Sequence, residues 1–352
     1  MGRHSNLAPY PGMIPITETR LRQDILGALI RPYGLQVQDM RFLRYSQNHV
    51  YACHHQGKEA ILRISQGRHR TKQQIEAELA WINLLVSHRI RACQPIPAKD
   101  GAACVALDLD GKHYIAACFG HVPGNPITQQ DLGDELYEKL GRLLGQLHAA
   151  TSANAVPRLA SSRPHWYESR LLQEDRAQLG TLLTRRFCDS VDDLIRQLRQ
   201  LPVCSEDYAL IHGDFSLGNC FLDGQDLWIF DFDNCEQGHF VQDLVTVLYD
   251  SIYCKVLNGF ADAGLNDRIT AFWRPFWRGY AITSSAKVLN PVQLKQFFLL
   301  REAIIYMHYH RVLDLRTVSE SFVAGLEVMR SNVENQEHQV DFEMLAMLNS
   351  TE

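Results

Sequence analysis

The sequence predicts an α+β fold of two lobes, a small antiparallel β-sheet lobe followed by a larger, mainly helical one. Three features carry this expectation. Between residues 38 and 119, short apolar runs alternate with turn signals, interrupted by a single stretch of helical period. A break rich in proline and glycine follows at 121–126, His-Val-Pro-Gly-Asn-Pro. Beyond it apolar residues recur at helical spacing, except in one strand-rich island at 208–233. The expected division is therefore an N-terminal lobe over 1–120, its first 20 residues flexible, and a helical lobe over 121–352.

In the first lobe, 42–45 is a short candidate strand, and 50–53 and 60–64 flank a turn at Gln56-Gly57. Residues 104–109 and 113–119 flank Asp110-Gly111, a dipeptide that adopts the positive φ angles of a two-residue hairpin turn. Ile75, Leu79, Ile82 and Val86 recur at spacings of three and four and predict a helix over 71–87. Five antiparallel strands with one helix inserted after the third result. In the second lobe, Leu136, Leu140, Leu144 and Leu147 line one face of a helix over 133–150, and further helices are expected over 241–253 and 294–311.

The island holds the chemistry-bearing residues. Runs at 220–222 and 227–230 read as a hairpin around Asp223-Gly224, with Gln225 and Asp226 extending the loop. Closing it brings Asn219 towards Asp231, because opposed residues in an antiparallel pair lie about 4.5–5.5 Å apart. An amide oxygen and a carboxylate are hard ligands suited to Mg²⁺, which takes few protein groups and completes its shell with phosphate oxygens. Asp214 stands five residues before Asn219, in a loop that Gly213 and Gly218 allow to turn tightly. A carboxylate there orients a substrate hydroxyl and accepts its proton, and phosphoryl transfer needs little beyond positioning and charge neutralisation. Asp and Asn also favour turns for local reasons. The ordered set of His-Gly-Asp, Asn and a distal Asp argues for chemistry instead.

His212-Gly213-Asp214-Phe-Ser-Leu-Gly218-Asn219 and Phe230-Asp231-Phe232-Asp233 resemble the signature of the aminoglycoside phosphotransferase and choline kinase-like family, whose fold is protein-kinase-like. The resemblance spans about residues 41–306, and only the island is specific. It implies that Asp214 is catalytic and that Asn219 and Asp231 hold Mg²⁺, with Asp233 in a supporting role. It implies that Asp243 braces the catalytic loop, a charge that the N-terminus of a helix also favours. The family's phosphate-binding lysine has its counterpart in Arg63, which grips phosphate bidentately. Of Glu76 and Glu78, Glu78 fits the expected partner better. The turn at 45–50 takes the place of a phosphate-covering loop without any glycine, leaving Ser46, Asn48 and backbone amides to touch phosphate. The base of ATP or GTP is expected against Phe119 to His121. The N-terminal lobe is thus the nucleotide-binding one.

The acceptor is expected between 152–201 and 261–340, a region that includes the aromatic run 272–280 and polar groups at Arg301, Glu302 and 308–310. Aromatic faces hold cationic amines, but a run of this kind also packs helix cores. The implied activity is transfer of a γ-phosphoryl group to a hydroxyl of a small molecule such as an amino-alcohol, an aminoglycoside or a related metabolite. A protein Ser/Thr kinase and a nucleotide-binding pseudokinase acting as an interaction module are the alternatives. Composition narrows the field. The net charge of −5 over 352 residues gives no nucleic-acid footprint. No run is long enough to span a membrane, and residues 1–15 lack the apolar core of a signal peptide. Nine cysteines without a C-x-x-C pair suggest reduced thiols and a cytoplasmic location. Cys53, His54 and His55 are a poor zinc set, because neighbours on a strand face opposite ways. Oligomeric state is not legible.

Overall fold

The computed structural model describes residues 21–153, 162–250, 264–284 and 289–348. The flexible segment expected over the first 20 residues lies outside them. The chain opens with a helix the periodicity did not disclose, α1 (Gln23–Ile30), whose Ile25, Leu26, Leu29 and Ile30 are buried. They pack with Tyr51, Leu62 and Ile64 on one side of the sheet. Eight residues are too few for a helical period to stand out in a sequence window.

Strands β1 (Arg41–Tyr45), β2 (His49–His55) and β3 (Lys58–Gln66) form a meander, followed by α2 (Lys72–Ser87). The turn between β2 and β3 places Gln56 at φ 51° and Gly57 at φ 78°, the paired left-handed residues of a type I′ turn. Thr71 caps α2: its side chain accepts from the Gln74 amide at 3.2 Å, while the Gln74 side chain accepts from the Thr71 amide at 3.0 Å. Next come β4 (Pro95–Ile96), β5 (Val105–Leu109) and β6 (Lys112–Gly120). Six strands, not five, make the sheet. Its order is β1-β2-β3-β6-β4, with β5 also on β6, and every pairing is antiparallel. The added strand, β4, has two residues and offers no alternation to read.

After β7 (Asn125–Pro126), α3 (Asp134–Ala153) enters the helical part, continued by α4 (Arg170–Leu179) and α5 (Arg185–Leu198). The island folds as two small sheets. Strands β9 (Cys220–Asp223) and β10 (Asp226–Ile229) join β7, while β8 (Tyr208–Ile211) pairs with β11 (Glu236–His239), which lies past the expected end of the island. The remaining helices are α6 (Phe240–Tyr249), α7 (Leu265–Thr283), α8 (Pro291–Val312), α9 (Glu320–Asn335) and α10 (Phe342–Leu348). Residues 251–253 of the expected second helix lie outside the described chain.

Two contacts organise this lobe. Helix α3 meets α7 backbone to backbone: a Cβ at Gly141, Gly145 or Gly279 would run into the carbonyl oxygens of Phe276, Tyr280 and Glu138 respectively. The aromatic run is accordingly core, with Phe272, Trp273, Phe276, Trp277 and Tyr280 all buried on α7. Helix α8 is wrapped by α4, α5, α6, α9 and α10.

Burial on α8 extends to Glu302, which is fully enclosed and accepts a hydrogen bond from Asn332 at 3.2 Å. Burial pushes its carboxyl from the ordinary 4.5 up to about 8. The folded protein therefore keeps this proton while the unfolded chain releases it. The stability of the neutral form is complete below the ordinary carboxylate range and is lost as the pH climbs towards 8. Glu302→Gln, neutral at every pH, should raise Tm more at pH 8 than at pH 5, as measured by thermal unfolding at both values. An equal change at the two would show that Glu302 does not titrate in this window.

Candidate active site

The site begins at the end of β8, where the chain turns through His212-Gly213 into Asp214. The Asp243 carboxylate, in the first turn of α6, accepts both loop amides, from His212 at 2.8 Å and from Gly213 at 2.8 Å. Gly213 sits at φ 74°, and a Cβ there would collide with the carbonyl oxygen of Asn234. Behind Asp243 lies His148 of α3, with Nε2 at 3.3 Å from the carboxylate and Nδ1 at 2.9 Å from the Tyr280 hydroxyl. Its ring stacks on Phe240 at 4.1 Å. Burial lowers the pKa of His148 despite the nearby carboxylate.

Asp214 is held from both sides. Asn219 donates through Nδ2 to its carbonyl oxygen at 2.9 Å and to Oδ2 at 3.1 Å. Arg301 of α8 donates through Nη2 to Oδ1 at 3.1 Å. The side chain remains one-third exposed.

The hairpin differs from expectation in its turn. Asp223 and Asp226 are a strand pair, and only Gly224 and Gln225 form the loop. Gly224, at φ 58°, occupies the first loop position, which a type II′ turn gives to glycine. At the open end the Phe230 amide donates to the Asn219 carbonyl at 3.0 Å. Asn219 therefore opposes Phe230, and Asp231 lies one residue beyond. Asp231 itself is left-handed, at φ 65° and ψ 60°, a conformation that costs a non-glycine residue energy and is retained where the surroundings impose it.

The donors suit a hard divalent cation. Asn219 commits Nδ2 to Asp214, leaving its amide oxygen as an acceptor, and Asp231 offers a carboxylate. Arg44 of β1 already brings positive charge there, with Nη2 at 2.9 Å from Asp231 Oδ2. Among the described residues, no three His, Cys, Asp or Glu side chains are grouped to hold a metal. A cation at Asn219 and Asp231 would thus draw its other ligands from phosphate and water, the habit of Mg²⁺.

A cavity of about 370 Å³ runs from these residues towards β6. Ile61, Phe119, Phe221 and Phe230 give it an apolar lining, with Arg63 and Glu78 also reaching it. Phe119, Gly120 and His121 line it as expected. The amides of Gly120 and His121 are already bonded, however, to Gln94 and Glu59 carbonyls at 2.8 and 3.1 Å. Neither is available to donate to a base. Ser46 is exposed at the tip between β1 and β2 and is absent from the lining, where Leu43, Arg44 and Val50 stand instead.

Arg63 and Glu78 meet in a buried bidentate pair at 2.8 and 2.7 Å. Glu76 pairs with Lys72 on the surface. Burial works against the charge on Arg63, but Glu78 and Asp233 outweigh it and raise its pKa. Asp233 faces the protein interior, with Arg70 at 3.5 Å, Arg63 at 3.8 Å and the Asn48 amide at 3.2 Å. Burial would raise its pKa, yet Arg70, Arg63 and Arg163 hold it well below the ordinary carboxylate range.

Arg44, Arg70, Arg163 and Asp250 were not anticipated. Arg163 is buried and donates to the Cys235 and Asp233 carbonyls, each at 2.6 Å, and to the Gln74 carbonyl of α2 at 3.3 Å. Asp250, at the end of α6, accepts from Arg301 at 3.1 Å. Of the polar groups expected on the acceptor side, Arg301 reaches the site. Glu302 is enclosed, and His310 bonds the Tyr306 carbonyl of its own helix at 2.9 Å. Removing one member of a buried ion pair leaves the other uncompensated, at a cost of about 3–5 kcal/mol. Glu78→Ala should lower unfolding stability by about that amount, read by urea denaturation. A loss below about 1 kcal/mol, the usual worth of a surface pair, would show that Arg63 is not buried as described.

Comparison with known proteins places this geometry. The family model described as "Phosphotransferase enzyme family" matches residues 41–280. Amicoumacin kinase of Bacillus subtilis (strain 168) is 26% identical over 318 residues, spanning 89% of this chain and 92% of that protein. The solved structure of amicoumacin kinase hAmiN in complex with AMP-PNP, Ca²⁺ and Ami superposes with a TM-score of 0.80 at 26% identity, covering 92% of this chain and 95% of that one. Spectinomycin phosphotransferase APH(9)-Ia, solved with ADP and spectinomycin, shares the fold with a TM-score of 0.54 at 15% identity, covering 95% and 99%.

Proposed function

The chain belongs to the phosphotransferase enzyme family, and on that premise we propose that it transfers the γ-phosphoryl group of ATP, with Mg²⁺, to a hydroxyl of a small molecule. The observation that carries this reading is Asp214 bonded to Asn219, with Asn219, Asp231 and Arg63 all lining one cavity. Asp214 orients the acceptor hydroxyl and takes its proton as the bond to phosphorus forms. Asn219 and Asp231 would hold the metal, which would supply neutralisation of phosphate charge. Arg63, oriented by Glu78, adds a fixed cation on the nucleotide side. The apolar lining by Ile61, Phe119 and Phe221 receives the base. ATP is favoured over GTP because the relative with a TM-score of 0.80 was solved with AMP-PNP. A cytoplasmic location belongs to the same proposal. The eight described cysteines form no disulfide with one another, and no described helix is long and apolar enough to cross a membrane.

Amicoumacin is the acceptor we infer first, since the likeness to amicoumacin kinase spans 89% of this chain. A panel of amicoumacin, amino-alcohols and aminoglycosides, assayed with ATP and GTP, should give amicoumacin-dependent ADP release and a singly phosphorylated product. Release with another acceptor alone would replace amicoumacin, and release with none would remove the small-molecule reading. Asp214→Asn should lower kcat by about 10²–10⁴-fold with nucleotide affinity retained, and wild-type turnover would remove Asp214 from its role. Asp231→Ala should weaken nucleotide binding only when Mg²⁺ is present, as followed by calorimetric titration. An unchanged Mg²⁺ dependence would show that the metal is held elsewhere.

A further inference from the structure

Helix α8 carries a guanidinium where its surroundings call for an apolar side chain. Its buried positions include Leu294, Phe297, Leu300, Ala303 and Tyr306, so that nearly every side faces a neighbour. Arg301 lies among them at 9% exposure. A buried charge is tolerated only with partners, and here one nitrogen serves two carboxylates. Nη2 is 3.1 Å from Asp214 Oδ1 and 3.1 Å from Asp250 Oδ2. Replacing a buried ion pair by apolar groups of similar volume is often neutral for stability. Structural need alone therefore gives a weak account of an arginine at this position.

We propose that Arg301 is a positioning residue for phosphoryl transfer, acting through Asp214. The proposal rests on the assignment of Asp214 as the carboxylate that orients the acceptor. Asn219 fixes Oδ2 and Arg301 fixes Oδ1, so the carboxylate plane is set by donors at both ends. With Asn219 alone the group is free to rotate about Cβ–Cγ and loses its line to the hydroxyl. Asp250 in turn holds the guanidinium, which ties the orientation of Asp214 to the end of α6. Without the cation, the Asp214 and Asp250 carboxylates, which share one nitrogen, would face each other as like charges.

The test uses the full-length protein with Asp214→Ala, Arg301→Met and Arg301→Lys. ADP release from Mg-ATP is measured with amicoumacin and with water as acceptor, beside the Tm and KM for Mg-ATP. Misplacing a reacting group by about 1 Å costs on the order of 10²-fold in rate. Arg301→Met is expected to lower kcat by about that factor, with KM for Mg-ATP within roughly twofold and with some loss of Tm, because Asp250 loses its cation. Arg301→Lys should recover part of the loss, because one donor at Oδ1 is restored. The Asp214→Ala/Arg301→Met double variant should be no slower than Asp214→Ala alone. Retained turnover in Asp214→Ala overturns the reading of Asp214 itself, and the proposal with it. If Asp214→Ala is inactive while Arg301→Met turns over normally, the proposal alone fails. Lys no better than Met in turnover, or a loss of kcat matched by an equal loss of Mg-ATP affinity, assigns Arg301 a structural role and also overturns it. A crystal structure of Arg301→Met with Mg-AMP-PNP decides the point without turnover. A rotated Asp214 carboxylate supports the proposal, and one unmoved from its place beside Asn219 refutes it.

Discussion

The buried pairing of Arg63 with Glu78 on one side and with Asp233 on the other is the constraint on which the cleft depends. Arg63 comes from the centre of the sheet, Glu78 from the one helix above it, and Asp233 from the loop that follows the hairpin. None of the three can leave without stranding a charge in a medium that solvates it poorly. Arg70 and Arg163 extend the network to backbone, gripping the Asp233 carbonyl at 2.9 and 2.6 Å. The separation between β3 and the loop that follows the hairpin is thereby held by charge pairs, while the link at 121–126 is itself tied down where β7 pairs with β9.

On the other side of the cleft, the same logic works through neutral groups. Asp243 accepts two successive amides and so fixes the direction in which the chain leaves β8. Catalytic carboxylates gain from such preorganisation because it is already in place before the reaction begins. Asp214 thus inherits its position from the backbone and its orientation from Asn219 and Arg301, and the two are separately controlled.

How much of this was legible follows from the range of the interactions. The set Asp214, Asn219 and Asp231 lies within one short island, where hairpin geometry brings Asn219 near Asp231 and a five-residue spacing keeps Asp214 beside Asn219. Arg63 and Glu78 were named through the family resemblance, which implies a cation on the third strand and an acid on the helix that follows. The family, the two-lobed α+β fold and the small-molecule kinase class followed from that island and its flanks. Arg44 and Arg163 escaped because they act across 187 and 70 residues respectively, distances over which periodicity carries no information. Arg301 was visible as a polar residue, but its direction was not. A helix buried on almost every side has no apolar face from which to measure the opposite one. The bonded state of the Gly120 and His121 amides was likewise invisible, since it depends on β4 and β3 arriving from elsewhere.

The seam between α3 and α7 has a consequence at a distance. Gly145 lies against the carbonyl of Tyr280, whose hydroxyl meets His148, which meets Asp243, which holds the amides leading to Asp214. Each link is a direct contact, so the seam behaves as the fulcrum of a lever whose far arm is the Asp214 carboxylate. A single methyl group added at Gly145 would press on Thr283 and Tyr280 and, through His148, on Asp243 and the loop it holds. In this lobe the direction of that loop is decided in part at a seam between two helices.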